Sequence, residues 1–330
     1  MNTLYLSTSE EDLAGAAEII KRGGLVGFPT ETVYGLGGNA LDAESSKKIY
    51  AAKGRPSDNP LIVHISSISQ IDDIAYGFTE TAKKLADAIW PGPMTMVFPK
   101  KPVVPDETTG GLDTVAIRLP ADDAARRLIE LSGVPIAAPS ANLSGRPSPT
   151  RWEHVKNDLD GRADAIIMGA PCIGGIESTV IDMTGELPMI LRPGLITPER
   201  VTEVTGLFCD YDPAIKGRPD PALIPKAPGM KYKHYAPSAE MHIYTGNHER
   251  ILEIFEDARQ SAEQSGKRLV TISYRDGKDA AAHLFADLRR ADEEEKADVI
   301  YAEALPMEDS VAYSVMNRML KSAGYNITEV

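Results

Sequence analysis

Lys53 and Arg55 stand on either side of one glycine, in Lys53-Gly54-Arg55-Pro56-Ser57-Asp58-Asn59-Pro60. In an extended loop, side chains two residues apart point the same way, here one as a compact ammonium and the other as a planar fork. Pro56 and Pro60 forbid helix through this stretch and favour a rigid loop. The segment from Phe28 to His64 places this basic pair in a polar, glycine-broken region between two apolar strand-like runs. Such a pattern suits a phosphate or another anion; a solvated surface turn is the plain alternative.

Three further clusters carry polar groups to the ends of apolar strands. Pro139-Ser140-Ala141-Asn142-Leu143-Ser144-Gly145-Arg146-Pro147-Ser148 follows directly on Pro135-Ile136-Ala137-Ala138. Short hydroxyls and an amide there can hold a phosphate or ribose, although Ser and Asn are also ordinary turn residues. Gly174-Gly175-Ile176-Glu177-Ser178-Thr179-Val180 is a second loop-to-strand junction. Val115-Ala116-Ile117-Arg118-Leu119 sets a guanidinium in an apolar strand, and Ile190-Leu191-Arg192 does the same. A buried Arg needs an anionic partner, either an internal carboxylate or a bound one. His64, between Val63 and Ile65, reads more readily as a core or surface histidine than as a catalytic base, and no pair of histidines has metal-ligand spacing.

Two common nucleotide motifs fail. Gly35-Leu36-Gly37-Gly38-Asn39-Ala40 loosely matches a dinucleotide fingerprint, but Thr30, Glu31 and Thr32 break the strand before it, and no acidic strand end follows at the required distance. A P-loop is absent, so ATP would be held by side chains and scattered loops.

The elements that must position these groups form a large domain over residues 1–206, a Pro-rich linker over 207–239 and a small domain over 240–330. Strands are predicted at 25–28, 61–65, 94–98, 115–119, 135–138, 165–168, 178–183 and 189–192. Helices are predicted at about 42–52, 79–90, 122–132, 150–159 and 197–204, after a first helix capped by Thr8 or Ser9 and stopped by Gly23-Gly24. The late strands follow one another without helices, which predicts a mixed sheet. Beyond the linker, strands at 241–244, 268–272 and 297–301 alternate with helices at 248–265, 279–291 and 309–323, the pattern of a small three-layer Rossmann-like unit. The acidic Asp292-Glu293-Glu294-Glu295 reads as a solvated helix end.

The chain has 330 residues, 42% of them hydrophobic and 25% charged, the composition of a soluble globular protein. Net charge is −13, with 19 Lys and Arg against 27 Asp and Glu in residues 1–206, and 16 against 21 in 207–330. Neither part has the basic footprint of a nucleic-acid-binding surface, which weighs against a non-catalytic RNA-binding module. No signal-peptide pattern opens the chain and no apolar run reaches about 18 residues, so a cytoplasmic, membrane-free protein is expected. Cys172 and Cys209 have no metal-ligand spacing and read as buried or idle thiols in a reducing compartment.

Taken together, Lys53-x-Arg55, Ser140-x-Asn142, Pro29-Thr30-Glu31-Thr32-Val33-Tyr34-Gly35-Leu36-Gly37 and Gly175-Ile176-Glu177-Ser178-Thr179-Val180 closely resemble the threonylcarbamoyl-AMP synthases, the YrdC-like family. Pro228-Gly229-Met230-Lys231-Tyr232-Lys233-His234-Tyr235-Ala236-Pro237 and the trailing α/β unit are similar to the long, two-domain form. The resemblance implies a YrdC-like twisted α/β domain followed by a small Rossmann-like domain. It also implies a nucleotidyltransferase making threonylcarbamoyl-adenylate and pyrophosphate from L-threonine, bicarbonate or CO2, and ATP. Mg2+ would arrive on the nucleotide, with no protein-built metal site. Separate downstream proteins would pass the threonylcarbamoyl group to an adenosine of tRNA.

By the same resemblance, Lys53, Arg55, Ser140 and Asn142 are the catalytic centre around ATP. Asn59, Thr114, Ser148, Arg192, His234 and Tyr235 are further nucleotide contacts. Thr32, His64, Arg118, the Ala138 backbone and Ser178 hold L-threonine. A carbamoyl-adenylate maker of the hydrogenase-maturation type resembles this domain too, but it carries Cys-rich zinc segments that two cysteines cannot supply.

Overall fold

The computed structural model describes residues 2–217, 225–228, 230, 235–307 and 310–330. The chain divides into two units, Met1–Ser144 with Ser148–Tyr232, and Gly145–Pro147 with Lys233–Val330. The first unit opens with β1 (Leu4–Leu6), α1 (Glu10–Lys21), β2 (Val26–Phe28), β3 (Gly35–Asn39), α2 (Ala43–Lys53), β4 (Ile62–His64), α3 (Ile71–Ile74), α4 (Glu80–Ile89) and β5 (Met94–Pro99). It continues through α5 (Asp106–Thr109), β6 (Thr114–Arg118), α6 (Asp123–Ser132), β7 (Ile136–Ala138), α7 (Trp152–Leu159), β8 (Ala165–Ile167), β9 (Thr179–Asp182), β10 (Met189–Arg192), α8 (Pro198–Thr205) and β11 (Asp210–Tyr211).

These strands make one eleven-stranded mixed sheet in the order β1-β8-β2-β3-β7-β4-β6-β5-β9-β10-β11. Its helices form where the sequence places caps and apolar faces. Ser9 caps α1 by accepting from the Asp12 amide, and Leu13, Ala16, Ala17 and Ile20 are the buried face at i, i+3, i+4 and i+7. Asp122 caps α6 in the same way, and Ala125, Leu128 and Ile129 pack with the α1 face over Val26, Phe28, Ile136 and Ala138. Each such buried Leu, Ile or Phe contributes about 1.5–3 kcal/mol.

β3 corrects the expectation of a loop across Gly35-Leu36-Gly37-Gly38. These residues pair antiparallel with β2 and β7, Val26 opposite Gly37 and Gly38 opposite Ala137. The glycines are required by close packing. A Cβ on Gly37 would sit 2.7 Å from Ile136 Cγ2 and 2.8 Å from the Phe28 ring, and one on Gly38 would sit 2.5 Å from Ser45 Oγ.

The register sorts the two faces of the central strands. Val63, Ile117, Met96 and Ala137 join the large core with Ile49, Leu85 and Val201 of the covering helices. On the opposite face, His64 lies beside Arg118, and Arg118 beside Thr95. Two positions away, Ile62, Ala116 and Val97 form an apolar row that packs with Val180, Ile215, Ala227 and Met230. The polar row therefore borders two apolar covers, one from α1 and α6 and one from Ile215, Ala227 and Met230.

The second unit contains β12 (Glu240–Thr245), α9 (His248–Gln264), β13 (Leu269–Ile272), α10 (Gly277–Glu293), β14 (Val299–Glu303), α11 (Ser310–Ser322) and β15 (Ile327–Glu329). Its sheet is all parallel, in the order β13-β14-β12-β15. Right-handed crossovers then put α9 on one face and α10 and α11 on the other, a three-layer arrangement. Glu293 is not a solvated helix end, as the sequence suggested. Its carboxylate pairs with Arg289 Nη1 and Arg146 Nη2, each at 2.8 Å, because the guanidinium of Arg289 is itself buried.

Candidate active site

Lys53 is the last residue of α2, and Gly54 takes the left-handed C-cap conformation at φ 63°. The extended-loop geometry expected for the basic pair is thus corrected: the αL turn sends the two side chains to different partners. The buried Lys53 ammonium donates to the Ser140 carbonyl at 2.5 Å and also to the Asn142 carbonyl, while Ser144 N–H donates back to the Lys53 carbonyl at 2.9 Å. Ser140 Oγ donates to Asn142 Oδ1 at 2.5 Å. Lys53, Ser140 and Asn142 are therefore one unit, brought together across nearly ninety residues. Arg55 is directed at the loop that follows, with Nε and Nη2 each 3.2 Å from the carbonyls of Asn59 and Pro60.

Asn59 is buried, and both atoms of its side-chain amide lack a hydrogen-bond partner. A satisfied fold seldom leaves an amide in that state, which marks the position as one for a polar ligand. Ser148 Oγ donates to Glu177 Oε1 at 2.5 Å inside the protein. Thr114 starts β6 opposite Pro99 and is half-buried.

The polar row of the sheet holds the second group. Arg192 donates from Nε to the Ser178 carbonyl at 3.0 Å and from Nη2 to Ser178 Oγ at 3.1 Å, and Ser178 Oγ lies 2.8 Å from Thr95 Oγ1. His64 packs edge-on against Phe28, and its Nδ1 lies 3.1 Å from the Ile62 carbonyl, to which it donates in the Nδ1–H tautomer. Burial, reinforced by the charge of Arg118, pushes the His64 pKa down to about 3, so it is a neutral imidazole at physiological pH. Ala138 lies opposite Ile62 on β7. Thr32 Oγ1 is 2.9 Å from Thr30 Oγ1. Thr30 spends its hydrogen on the Val33 carbonyl at 2.6 Å, so Thr32 must be the donor between them.

Arg118 meets the internal-carboxylate reading at Glu31, with Nη2 and Oε1 2.7 Å apart. The contact lacks hydrogen-bond alignment, however. Arg118 Nε and Nη2 and Glu31 Oε1 all remain unsatisfied although buried. This is an ion pair with spare donors and a spare acceptor.

Among the nucleotide contacts expected from the linker, His234 lies outside the described residues. Tyr235 belongs to the second unit, where its buried ring lies 5.0 Å from that of Phe285. Sequence reasoning gave no role to Glu31, Thr95 or Glu177. Thr95 and Glu31 had a readable signal, a hydroxyl inside an apolar strand and a carboxylate between two threonines at a strand end. Cys172 and Cys209 are free and buried, and burial pushes both thiols up to about 12. Among the described residues, no helix is long and apolar enough to cross a membrane, and no cluster of three or more His, Cys, Asp or Glu side chains could hold a metal ion.

A twisted mixed sheet followed by a small parallel α/β unit is the architecture of two-domain Sua5-type proteins. In Pyrococcus abyssi Sua5 complexed with L-threonine, a solved structure 44% identical in sequence, the fold superposes with a TM-score of 0.92 over 100% of both chains. Residues 18–194 match the Sua5/yciO/yrdC family model, described as telomere recombination, and residues 196–324 match the model described as threonylcarbamoyl-AMP synthase, C-terminal domain. The threonylcarbamoyl-AMP synthase of P. abyssi is 47% identical over 96% of this chain and 95% of its own length. That of Bacillus subtilis is 45% identical over 97% and 95%. The chain belongs to the threonylcarbamoyl-AMP synthase family, as its motifs led us to expect.

Proposed function

We propose that this protein condenses L-threonine, bicarbonate or CO2, and MgATP to threonylcarbamoyl-AMP and pyrophosphate. Family membership supports the reaction, and the unsatisfied guanidinium of Arg118 is the observation in this chain that carries the substrate reading. A buried Arg with spare donors suits a carboxylate, which it can take by two parallel hydrogen bonds.

The chemistry takes two steps. Threonine's ammonium first gives a proton to solvent, and the free amine attacks bicarbonate; a C–N bond forms and water leaves, giving an N-carboxylate. One oxygen of that carboxylate attacks the α-phosphorus of ATP in line, the P–O bond to the β-phosphate breaks, and pyrophosphate departs. The protein supplies positioning and charge neutralisation. In this reading Lys53, Arg55, Ser140 and Asn142 surround the triphosphate, with Asn59, Thr114, Ser148, Arg192, His234 and Tyr235 as further nucleotide contacts. Thr32, His64, Arg118, the Ala138 backbone and Ser178 hold L-threonine. Because Lys53 already binds two carbonyls of the Ser140–Asn142 loop, its first task is to shape that loop.

Mg2+ carried by the nucleotide would screen its phosphates. The product serves threonylcarbamoyladenosine formation on tRNA through separate transfer proteins, in the cytoplasm, where ATP is made available and the two free thiols stay reduced. With 13C-bicarbonate, the reaction should yield an adenylate one mass unit heavier. An unlabelled adenylate would overturn the carboxylation step.

A further inference from the structure

We propose that Glu31 binds the α-ammonium group of the amino-acid substrate, so that Glu31 and Arg118 together read an α-amino acid as a zwitterion. The inference rests on the amino-acid reading given above and assigns a residue to which that reading gives no role.

Glu31 is held on three sides. Its carbonyl accepts from Gly174 N–H at 2.7 Å, and its Oε2 accepts from Ala121 N–H at 3.0 Å. Its Oε1 is 2.7 Å from Arg118 Nη2, and the side chain is 10% exposed. One carboxylate oxygen is thus satisfied by the backbone, while the other is turned to the guanidinium without a hydrogen bond. An Arg–carboxylate pair with no other partner frequently closes into two parallel hydrogen bonds. This one leaves Arg118 Nε, Arg118 Nη2 and Glu31 Oε1 open together.

Two buried cationic donors beside one buried anionic acceptor are complementary to a molecule carrying an anionic acceptor beside a cationic donor. An α-amino acid is the smallest such molecule. The surrounding groups favour the cation at the Glu31 side. Thr32, having given its hydrogen to Thr30, has only lone pairs left, and the half-buried Asp122 carboxyl adds a second acid near Glu31. Glu31 therefore separates α-amino acids from hydroxy acids of the same shape, while Arg118 accepts the carboxylate of either.

The test is calorimetric binding to the full-length protein, below its melting transition, of L-threonine and of (R)-3-hydroxybutanoate, which keeps the carboxylate and hydroxyl but lacks the amine. The wild type should prefer L-threonine by about tenfold to a hundredfold, the range for one charge-assisted hydrogen bond. Glu31→Gln should bring the two ligands to within about twofold, with the loss falling on L-threonine alone. Glu31→Asp, which keeps the charge, should retain part of the preference. A Glu31→Gln protein that keeps the wild-type preference overturns the assignment, as does one that weakens both ligands alike, since Glu31 would then act only by holding Arg118. If Glu31→Gln does not fold, equal affinity of the wild type for the two ligands is still decisive against it. A wild type that shows this preference for other α-amino acids but ignores L-threonine overturns the substrate reading and supports the Glu31 assignment. One that binds no α-amino acid overturns both.

Discussion

Replacing Lys53 by Met tests whether the Lys53–Ser140–Asn142 cluster is built before any nucleotide arrives. The stem is buried and Met preserves most of its packing, so the change removes chiefly the ammonium. Two carbonyls, those of Ser140 and Asn142, then lose a charged donor. An unmet buried carbonyl costs about 1–3 kcal/mol, and because the Ser140 side of the loop is half-buried and can recruit water, the sum should be about 2–4 kcal/mol. For a unit of this size that lowers Tm by about 5–15 °C. Hydrogen exchange at the Ser144 amide, which bonds to the Lys53 carbonyl, should rise in parallel. Turnover should fall about 100- to 1,000-fold, the usual effect of losing one preorganised donor. The assay is thermal unfolding without ligand, set beside pyrophosphate release. A Lys53→Met protein that melts like the wild type while losing turnover would refute this reasoning, because Lys53 would then act on the nucleotide alone.

Arg118→Met should destabilise the fold by about 3–5 kcal/mol by stranding the Glu31 charge, and adding Glu31→Gln should restore most of that loss; additive losses in chemical unfolding would contradict the pairing. His64 has a folded pKa near 3 against about 6.5 unfolded, so the unfolded chain protonates first. Stability is therefore intact above about pH 6.5 and lost as pH falls towards 3, by at most about 1.4 kcal/mol per pH unit. His64→Gln should flatten that part of the unfolding profile, and an unchanged slope would argue against it. Gly37→Ala should cost about 1–3 kcal/mol through collision with Ile136 and Phe28, read as a drop in the denaturation midpoint. Cys172 and Cys209 should resist a thiol reagent in the native protein and react on unfolding; rapid native labelling would contradict their burial.

Locally encoded features were readable and non-local ones were not. Caps and apolar spacing gave α1, α6 and α8 within a residue or two, because Ser9, Asp122 and Thr197 satisfy helix ends through their own neighbours. The strand Gly35–Asn39 was missed because glycine disfavours strands on its own, and the reason for it here, the ring of Phe28 and the side chain of Ile136, lies elsewhere in the fold. Ala51-Ala52-Lys53-Gly54 does carry a helix-stop signal, but the prolines downstream outweighed it. The motifs named the candidate residues from local pattern alone. Which carboxylate meets Arg118, and which carbonyls Lys53 holds, depend on strand pairing over distances that no local pattern records.

Pyrophosphate release from MgATP by the purified protein, with L-threonine and bicarbonate omitted in turn, is the most direct test of the proposed activity. Release is expected only when both are present, with an adenylate containing threonine as the second product. Release that persists without either substrate, or that yields AMP alone, would contradict it.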